Sequence, residues 1–224
     1  HYGDDYFEVE NYPEKIAQIS LAAMQGREKK KALNIGCKVG RSSFELAVEF
    51  DFVTGLDATA RNFKIALEMK DKGYMLYALA KEGEIQSFHE RRLTDLGLDG
   101  VRHKVDFFQA DVSNLIDRYK GYDLILVDDI IDRIYNPIKF LESVHLRVNF
   151  GGLLILSSSY DWQEGYTERK NWIGGFKKAG EGPMGARGGG LGGVGGGGEE
   201  GGGGVFDTGA FEAVGDRVGC VAGG

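Results

Sequence analysis

Residues 31–57 constrain this chain more than any other stretch. An apolar run at 31–35 meets the turn Gly36-Cys37-Lys38-Val39-Gly40, a segment beginning Arg41-Ser42-Ser43-Phe44-Glu45-Leu46 follows, and a second apolar run ends in Gly55-Leu56-Asp57. A short apolar run bounded by glycine reads as a buried strand. Ser42 and Glu45 have the spacing of a capping box, which predicts a helix starting just after Gly40. Strand, glycine turn, helix and strand is the repeating unit of a parallel sheet, and the rest of the chain continues it. Strands are predicted at 52–56, 105–111, 122–127 and 153–156, with helices at 60–69 and from Pro137 to about 148. Ahead of them, 13–25 reads as an amphipathic helix with Pro13 in its first turn and Gly26 as its stop. Five strands alternating with helices predict an α/β fold with a mostly parallel, doubly wound sheet covered on both faces. Residues 72–100 read as a polar, helical connection longer than this fold requires.

Composition narrows the function classes. A chain of 224 residues, 42% hydrophobic and 27% charged, suits one sizeable globular domain. Its net charge of −7 argues against a general nucleic-acid binder, and the short basic clusters at 27–31 and Arg91-Arg92 read as solvated surface. No apolar run approaches the ~18 residues of a membrane span, and no signal peptide opens the sequence. Cys37 and Cys220 offer no disulfide framework, which fits the reducing cytoplasm. A start at His1 without methionine is expected of a piece of something longer or of a trimmed chain. Of 36 glycines, 21 lie in residues 180–224. Such composition buries too little apolar surface to offset chain entropy, so the domain is expected to span 1–179 and the Gly-rich tail 180–224 to be mostly disordered. A flexible linker and GC-rich sequence read out of frame both have this character.

The turn spacing discriminates between cofactors. A dinucleotide fold wants G-x-G-x-x-G, whose middle glycine admits a pyrophosphate. Here Gly36 and Gly40 stand as G-x-x-x-G with Cys37 and Lys38 between, a looser turn that suffices for S-adenosylmethionine, which has no pyrophosphate. Asp57, 21 residues beyond Gly36, ends strand two, where a carboxylate accepts hydrogen bonds from ribose hydroxyls or caps the next helix. Asp111, with Val112 beside it, ends strand three and either meets the adenine amino group or caps a helix beginning near Ser113. Cys37 reads as a packing residue and not as a nucleophile. Asp128, Asp129 and Asp132 follow strand four, at the mouth of the sheet, where substrate polar groups would be met; the alternative is that Asp132 pairs on the surface with Arg133 or another neighbour. No histidine lies near enough to suggest a metal site, and His89, His103 and His145 read as structural. Tyr160, Trp162, Tyr166 and Trp172 follow strand five, where they either cover a planar substrate or pack the sheet edge.

Several segments together carry a more specific resemblance. They are residues 6–13, the turn 36–46, Ile131-Asp132-Arg133 with Tyr135 and Pro137, Lys139-Phe140-Leu141-Glu142-Ser143, Gly151-Gly152-Leu153-Leu154 and Trp172-Ile173-Gly174-Gly175-Phe176-Lys177. Over about 6–178 the chain resembles the mercaptohistidine N-methyltransferase domain of ovothiol biosynthesis. That domain is a Rossmann-like class I methyltransferase, commonly joined to an iron-dependent 5-histidylcysteine sulfoxide synthase. The resemblance implies S-adenosylmethionine held by Gly36, Cys37, Lys38, Gly40, Asp57, Asp111, Val112 and Asp128. It also implies a mercaptohistidine contacted by Tyr12, Arg133, Tyr160 and Trp162, with Asp129 orienting its imidazole for methylation on nitrogen. The chain departs from the family at Asn34, at Lys38 and at Asp128-Asp129. Its tail occupies the place of the fold's last two strands, so the sheet is expected to be truncated or disordered at that end. Other readings are a methyltransferase for another small amine or heterocycle, a catalytically impaired cofactor-binding remnant or interaction module, and, weakest, an NAD-dependent reductase.

Overall fold

Apolar runs flanked by glycine become strands here because a parallel sheet buries both faces, leaving no solvent side for polar alternation. The computed structural model describes residues 11–175 and two further strands, Glu212–Ala213 and Val218–Ala222. The chain forms two compact units, His1–Val112 and Ser113–Gly224. Residues 6–10, 176–178 and most of the glycine-rich tail, on which several sequence expectations fall, lie outside the described residues.

In the first unit β1 (Lys31–Ile35) and β2 (Phe52–Asp57) run parallel, with Ile35 level with Leu56. An antiparallel hairpin of β3 (Tyr74–Glu82) and β4 (Ile85–Arg92) then precedes β5 (Val105–Gln109), which pairs parallel with the other edge of β2. Helices α1 (Tyr12–Ala23), α2 (Arg41–Leu46) and α3 (Ala60–Lys72) complete the unit. Leu33, Ile35, Phe44, Leu46, Val53, Leu56 and Val105 form its core, each worth about 1.5–3 kcal/mol of burial. Arg41 fastens α2 to α1, its Nε 2.7 Å from Glu45 and a terminal nitrogen 2.9 Å from Glu14.

Two expectations are corrected here. Residues 72–100 are not a mainly helical connection: most of them form the β3–β4 hairpin, closed by the two-residue turn Gly83-Glu84 with Gly83 at φ 55°, and only short 3-10 turns, Thr94–Leu96 and Asp99–Lys104, follow it. Leu, Ala, Lys and Glu favour a helix locally, but a glycine at the first central position of a turn, between runs carrying Tyr, Phe and Ile, selects a hairpin. The capping box does not form either. Gly40, not Ser42, is the N-cap of α2, and no side chain caps it.

The second unit sets β6 (Tyr122–Asp128) parallel to β7 (Val148–Ser157), with a register break between Tyr122 and Leu124. Between them α4 (Pro137–Val144) begins on Asn136, whose side chain accepts the Lys139 N–H at 3.0 Å. The helix stops four residues short of the expected end. His145–Arg147 tightens into a 3-10 turn, and the largely buried Arg147 guanidinium donates to the carbonyls of Ile116 and Tyr119, 2.9 Å each. The tail changes the expected sheet. Strand β9 (Val218–Ala222) runs antiparallel along β7, from Ser157 beside Val218 to Leu153 beside Ala222, and β8 (Glu212–Ala213) pairs with β9. The edge of β7 expected to be bare is therefore paired by backbone from the tail itself. The fold class is the expected one, α/β with mostly parallel strands. Among the described residues no helix is long and apolar enough to cross a membrane.

Candidate active site

Three parallel strands deliver their carboxyl ends to one edge of the first unit, so the turn after β1, the end of β2 and the loop after β5 lie side by side. The turn is held from beneath. Gly36 and Cys37 N–H groups both donate to the Leu56 carbonyl, at 2.8 and 3.0 Å, and Gly40 N–H closes onto the Cys37 carbonyl at 2.8 Å. Buried Asn34 replaces the missing capping box, its Nδ2 donating to Ser42 Oγ and Ser43 Oγ, 2.9 Å each. Glu45, the other half of that box, is engaged by Arg41 instead.

Asp57 is 6% exposed, and its two carboxylate oxygens hold different loops. One accepts the Lys38 N–H at 2.9 Å; the other accepts the Thr59 N–H at 2.7 Å. Asp57 thus ties the glycine turn to the residue that precedes α3, Thr59, without capping that helix, whose N-terminus has no side-chain cap. A carboxylate offers about four lone-pair sites, so each oxygen keeps acceptor capacity for a further donor. Lys38 sits at φ 52°, a left-handed conformation uncommon for a side chain of this size, and its ammonium lies 5.5 Å from the centre of the Tyr12 ring. Cys37 is buried and in no disulfide. Asp111 is exposed and Val112 half-buried, beyond the end of β5.

Gly40 serves packing as much as the turn. At φ 90°, a Cβ there would stand 2.6 Å from Phe107 Cζ, and one on Gly55 would stand 2.5 Å from Phe107 Cδ1 and 3.1 Å from Cys37 Sγ. The Phe107 ring, edge-on to Phe44 with centroids 5.4 Å apart, therefore fills the space that two absent side chains leave under the turn. Neither Gly55 nor Phe107 stands out in the sequence, because the partnership crosses fifty residues.

In the second unit the mouth of β6 meets the serine run that ends β7. Asp128 is buried. Asp129, at φ 53°, donates its N–H to the carbonyl and the Oγ of Ser157, both at 3.1 Å, and its Oδ1 accepts the Ser159 N–H at 2.8 Å. Asp132 corrects the surface-pair expectation. It is fully buried, and its Oδ2 accepts from Ser159 Oγ and from the Asp161 N–H, 2.9 Å each. Burial pushes its pKa up, the Asp129 charge adds to that, and the two hydrogen bonds pull the other way. Arg133 instead lies 5.6 Å from the Tyr166 ring centre.

The aromatic cluster divides. Trp162 stacks on Trp172 at 6.2 Å, and the Trp172 indole N–H donates to the Thr167 carbonyl at 2.7 Å. Thr167 is buried, its hydroxyl within 2.8 Å of the Ile134 carbonyl and 3.1 Å of that of Asp132. This pair packs the loop. Tyr160, at φ 55° and 41% exposed, faces outward. Ser159 and Thr167 are the residues sequence reasoning missed; three consecutive serines at a strand end were the available signal. Among the described residues no three His, Cys, Asp or Glu side chains are grouped to hold a metal ion.

No protein-family model and no curated protein matches the chain. Solved structures do. One is an S-adenosylmethionine-dependent methyltransferase from Clostridium acetobutylicum ATCC 824, 18% identical over 70% of this chain and 55% of that one, TM-score 0.48. Another is Haemonchus contortus phosphoethanolamine N-methyltransferase 2 in complex with S-adenosylmethionine, 17% identical over 64% and 28%, TM-score 0.47. A third is the [4+2]-cyclase SpnF, 15% identical over 65% and 44%, TM-score 0.47. The chain spans about half the length of the first such structures. Likenesses this distant leave activity to be argued from the residues themselves.

Proposed function

We propose that this chain is an S-adenosylmethionine-dependent methyltransferase, and that its acceptor is an imidazole nitrogen of 5-mercaptohistidine. The observation that carries the cofactor reading is Asp57. It is a carboxylate at the end of the second parallel strand, tied to the turn after the first and still able to accept from two hydroxyls. When bound, the cofactor supplies a methyl on a sulfonium, which leaves as the neutral thioether. Gly36, Cys37, Lys38 and Gly40 would flank its methionine end through backbone, and Asp111 with Val112 its adenine. Asp128, behind the second unit's mouth, is assigned to the same cofactor.

The acceptor reading rests on the resemblance of residues 6–178. A neutral imidazole already carries a lone pair on one nitrogen near pH 7, so no strong base is required and positioning supplies the rate. In this reading Asp129, held in place by Ser157 and Ser159, accepts a hydrogen bond from the ring N–H and thereby leaves the lone pair of the other nitrogen for methylation. Arg133, Tyr12, Tyr160 and Trp162 are proposed to contact or enclose the substrate, Trp162 from its stack on Trp172. An iron-dependent sulfoxide synthase, joined or separate, would supply the mercaptohistidine precursor.

Calorimetry with S-adenosylhomocysteine tests the cofactor half of the proposal; micromolar binding lost in Asp57→Ala supports it. Mass spectrometry of mercaptohistidine incubated with S-adenosylmethionine tests the acceptor. A product heavier by one methyl is expected, with its position scrambled or its rate reduced in Asp129→Ala. Binding without methylation of mercaptohistidine, but with methylation of another amine, would overturn the substrate and keep the class.

A further inference from the structure

Asp132 is a buried carboxyl to which the proposed reaction gives no part. Its side chain and its backbone each close one end of a loop. Oδ2 accepts from Ser159 Oγ and from the Asp161 N–H, 2.9 Å each, and so grips the residues on either side of Tyr160. The Asp132 carbonyl shares the buried Thr167 hydroxyl with that of Ile134, at 3.1 and 2.8 Å. Residues 159–167 are thus fastened at both ends to the 3-10 turn Ile131–Arg133. Arg133, next in that turn, adds a third hold, its guanidinium 5.6 Å from the centre of the Tyr166 ring.

The grip maintains a conformation that the chain does not favour. Tyr160 sits at φ 55° and Asp129 at φ 53°, in the left-handed region that few side chains adopt. Such residues persist only where their surroundings over-determine them, and they gather at functional sites. Tyr160 is held through both neighbours and by its own N–H, which donates to Ser158 Oγ at 3.0 Å. Ser159 links the two left-handed residues to the buried carboxyl: its N–H goes to Asp129 Oδ1 at 2.8 Å and its hydroxyl to Asp132. Asp132 Oδ1, by contrast, is buried with no hydrogen-bond partner among the described residues. A buried carboxyl with one oxygen unmatched lowers stability, so stability alone does not account for this residue.

We propose that Asp132 is the positioning residue for the acceptor side of the site, closing the loop 159–167 so that Asp129, Tyr160 and Trp162 stand in fixed places. That these three meet the acceptor rests on the proposed function; the clamp itself does not. Asp132 touches no reacting atom. It acts through Ser159 on Asp129 and through Asp161 on Tyr160 and Trp162. The role requires a hydrogen-bond acceptor and not a charge, so an amide can fill it.

The chain's two tryptophans, Trp162 and Trp172, stack on each other in and just beyond this loop, so the emission of the whole protein reports on it. Asp132→Ala should shift that emission to longer wavelength, whereas Asp132→Asn should leave it in place. With the acceptor that the parent methylates, Asp132→Ala should lower kcat/KM at least ~10-fold and, on an imidazole, divide the methyl between the two ring nitrogens. S-adenosylhomocysteine should bind as before, and Asp132→Asn should keep both rate and methyl position. Ser159→Ala removes one hydroxyl from a half-buried residue and should move emission and kcat/KM in the same direction, even where Asp132→Ala fails to fold. Combined with Asp132→Ala it should add nothing, because the two act in series. Unshifted emission in the folded alanine variants overturns the clamp. Shifted emission with kcat/KM and methyl position intact overturns the positioning role, as does Asp132→Asn if it is as impaired as Asp132→Ala. A parent that methylates no acceptor defeats the functional reading alone; the clamp is then upheld or overturned by the emission of the three variants.

Discussion

Placing one methyl group on Gly55 would test whether the floor of the glycine turn is built as described. The new Cβ would lie 2.5 Å from Phe107 Cδ1, 2.7 Å from Cε1 and 3.1 Å from Cys37 Sγ, all in buried side chains. Gly55 has an ordinary strand backbone, so the cost is steric alone. Overpacking of this kind costs about 1–3 kcal/mol, and the ~0.5–1 kcal/mol that alanine gains over glycine within a strand offsets part of it. Gly55→Ala should therefore lose about 1–2 kcal/mol in urea denaturation, a fall in melting temperature of roughly 2–8 °C for a chain of this size. Phe107→Leu opens a cavity and is destabilising by itself, yet it makes room for the methyl. The double variant should be less damaged than the sum of the singles by ~1 kcal/mol or more. Gly40→Ala is the control. It meets the same ring at 2.6 Å but also sits at φ 90°, a backbone cost of about 1–2 kcal/mol that Phe107→Leu cannot relieve. Gly55→Ala as stable as the parent, or strictly additive with Phe107→Leu, would refute this account of the turn.

Asp132→Asn keeps an acceptor for Ser159 and Asp161 while removing a buried charge. A carboxyl with a raised folded pKa stabilises the fold below its ordinary value near 3.8 and loses that contribution as pH rises through the raised value. The parent should accordingly lose stability relative to the variant as pH rises through that window, and urea melts at a series of pH values would show the opposite slope if the carboxyl were instead held ionised. Asp57→Asn turns an amide NH2 toward either the Lys38 or the Thr59 N–H; it should cost about 1–3 kcal/mol and weaken S-adenosylhomocysteine binding in the same calorimetric titration. Arg41→Ala severs the link between α1 and α2 and should cost about 1 kcal/mol, less at high salt, measured by thermal melts at two ionic strengths.

Elements set by local chemistry were readable in the sequence. The apolar runs became strands within a residue or two at 31–35 and 52–57, and Pro13 and Pro137 lie in the first turns of the helices expected there, whereas the first helix ends at Ala23 on a Met24 cap, short of the Gly26 stop. Asp57 was legible because its place at a strand end follows from the same pattern. What escaped reading depends on contacts distant in sequence. Nothing near Val144 announces that Arg147 will turn inward to cap carbonyls some thirty residues back. Asp132 looked like surface because Arg133 is its neighbour, whereas Ser159 and Asp161 are its partners. The hairpin was misread because helix-favouring composition outweighed a single glycine.

The strand β9 sets a timetable as well as a topology. Synthesis completes β7 at Ser157, but the residues that pair with its outer edge begin only at Val218, about 60 residues later. At the ~5–20 residues per second of translation, that edge stays open for roughly 3–12 s on every new chain. During this interval the nascent protein offers a run of unpaired amides to any passing strand, including that of a neighbouring ribosome's product. Overproduction should therefore be limited by what happens before residue 218 emerges, and slower growth or a chaperone that shields strand edges should raise the soluble yield without altering the finished protein.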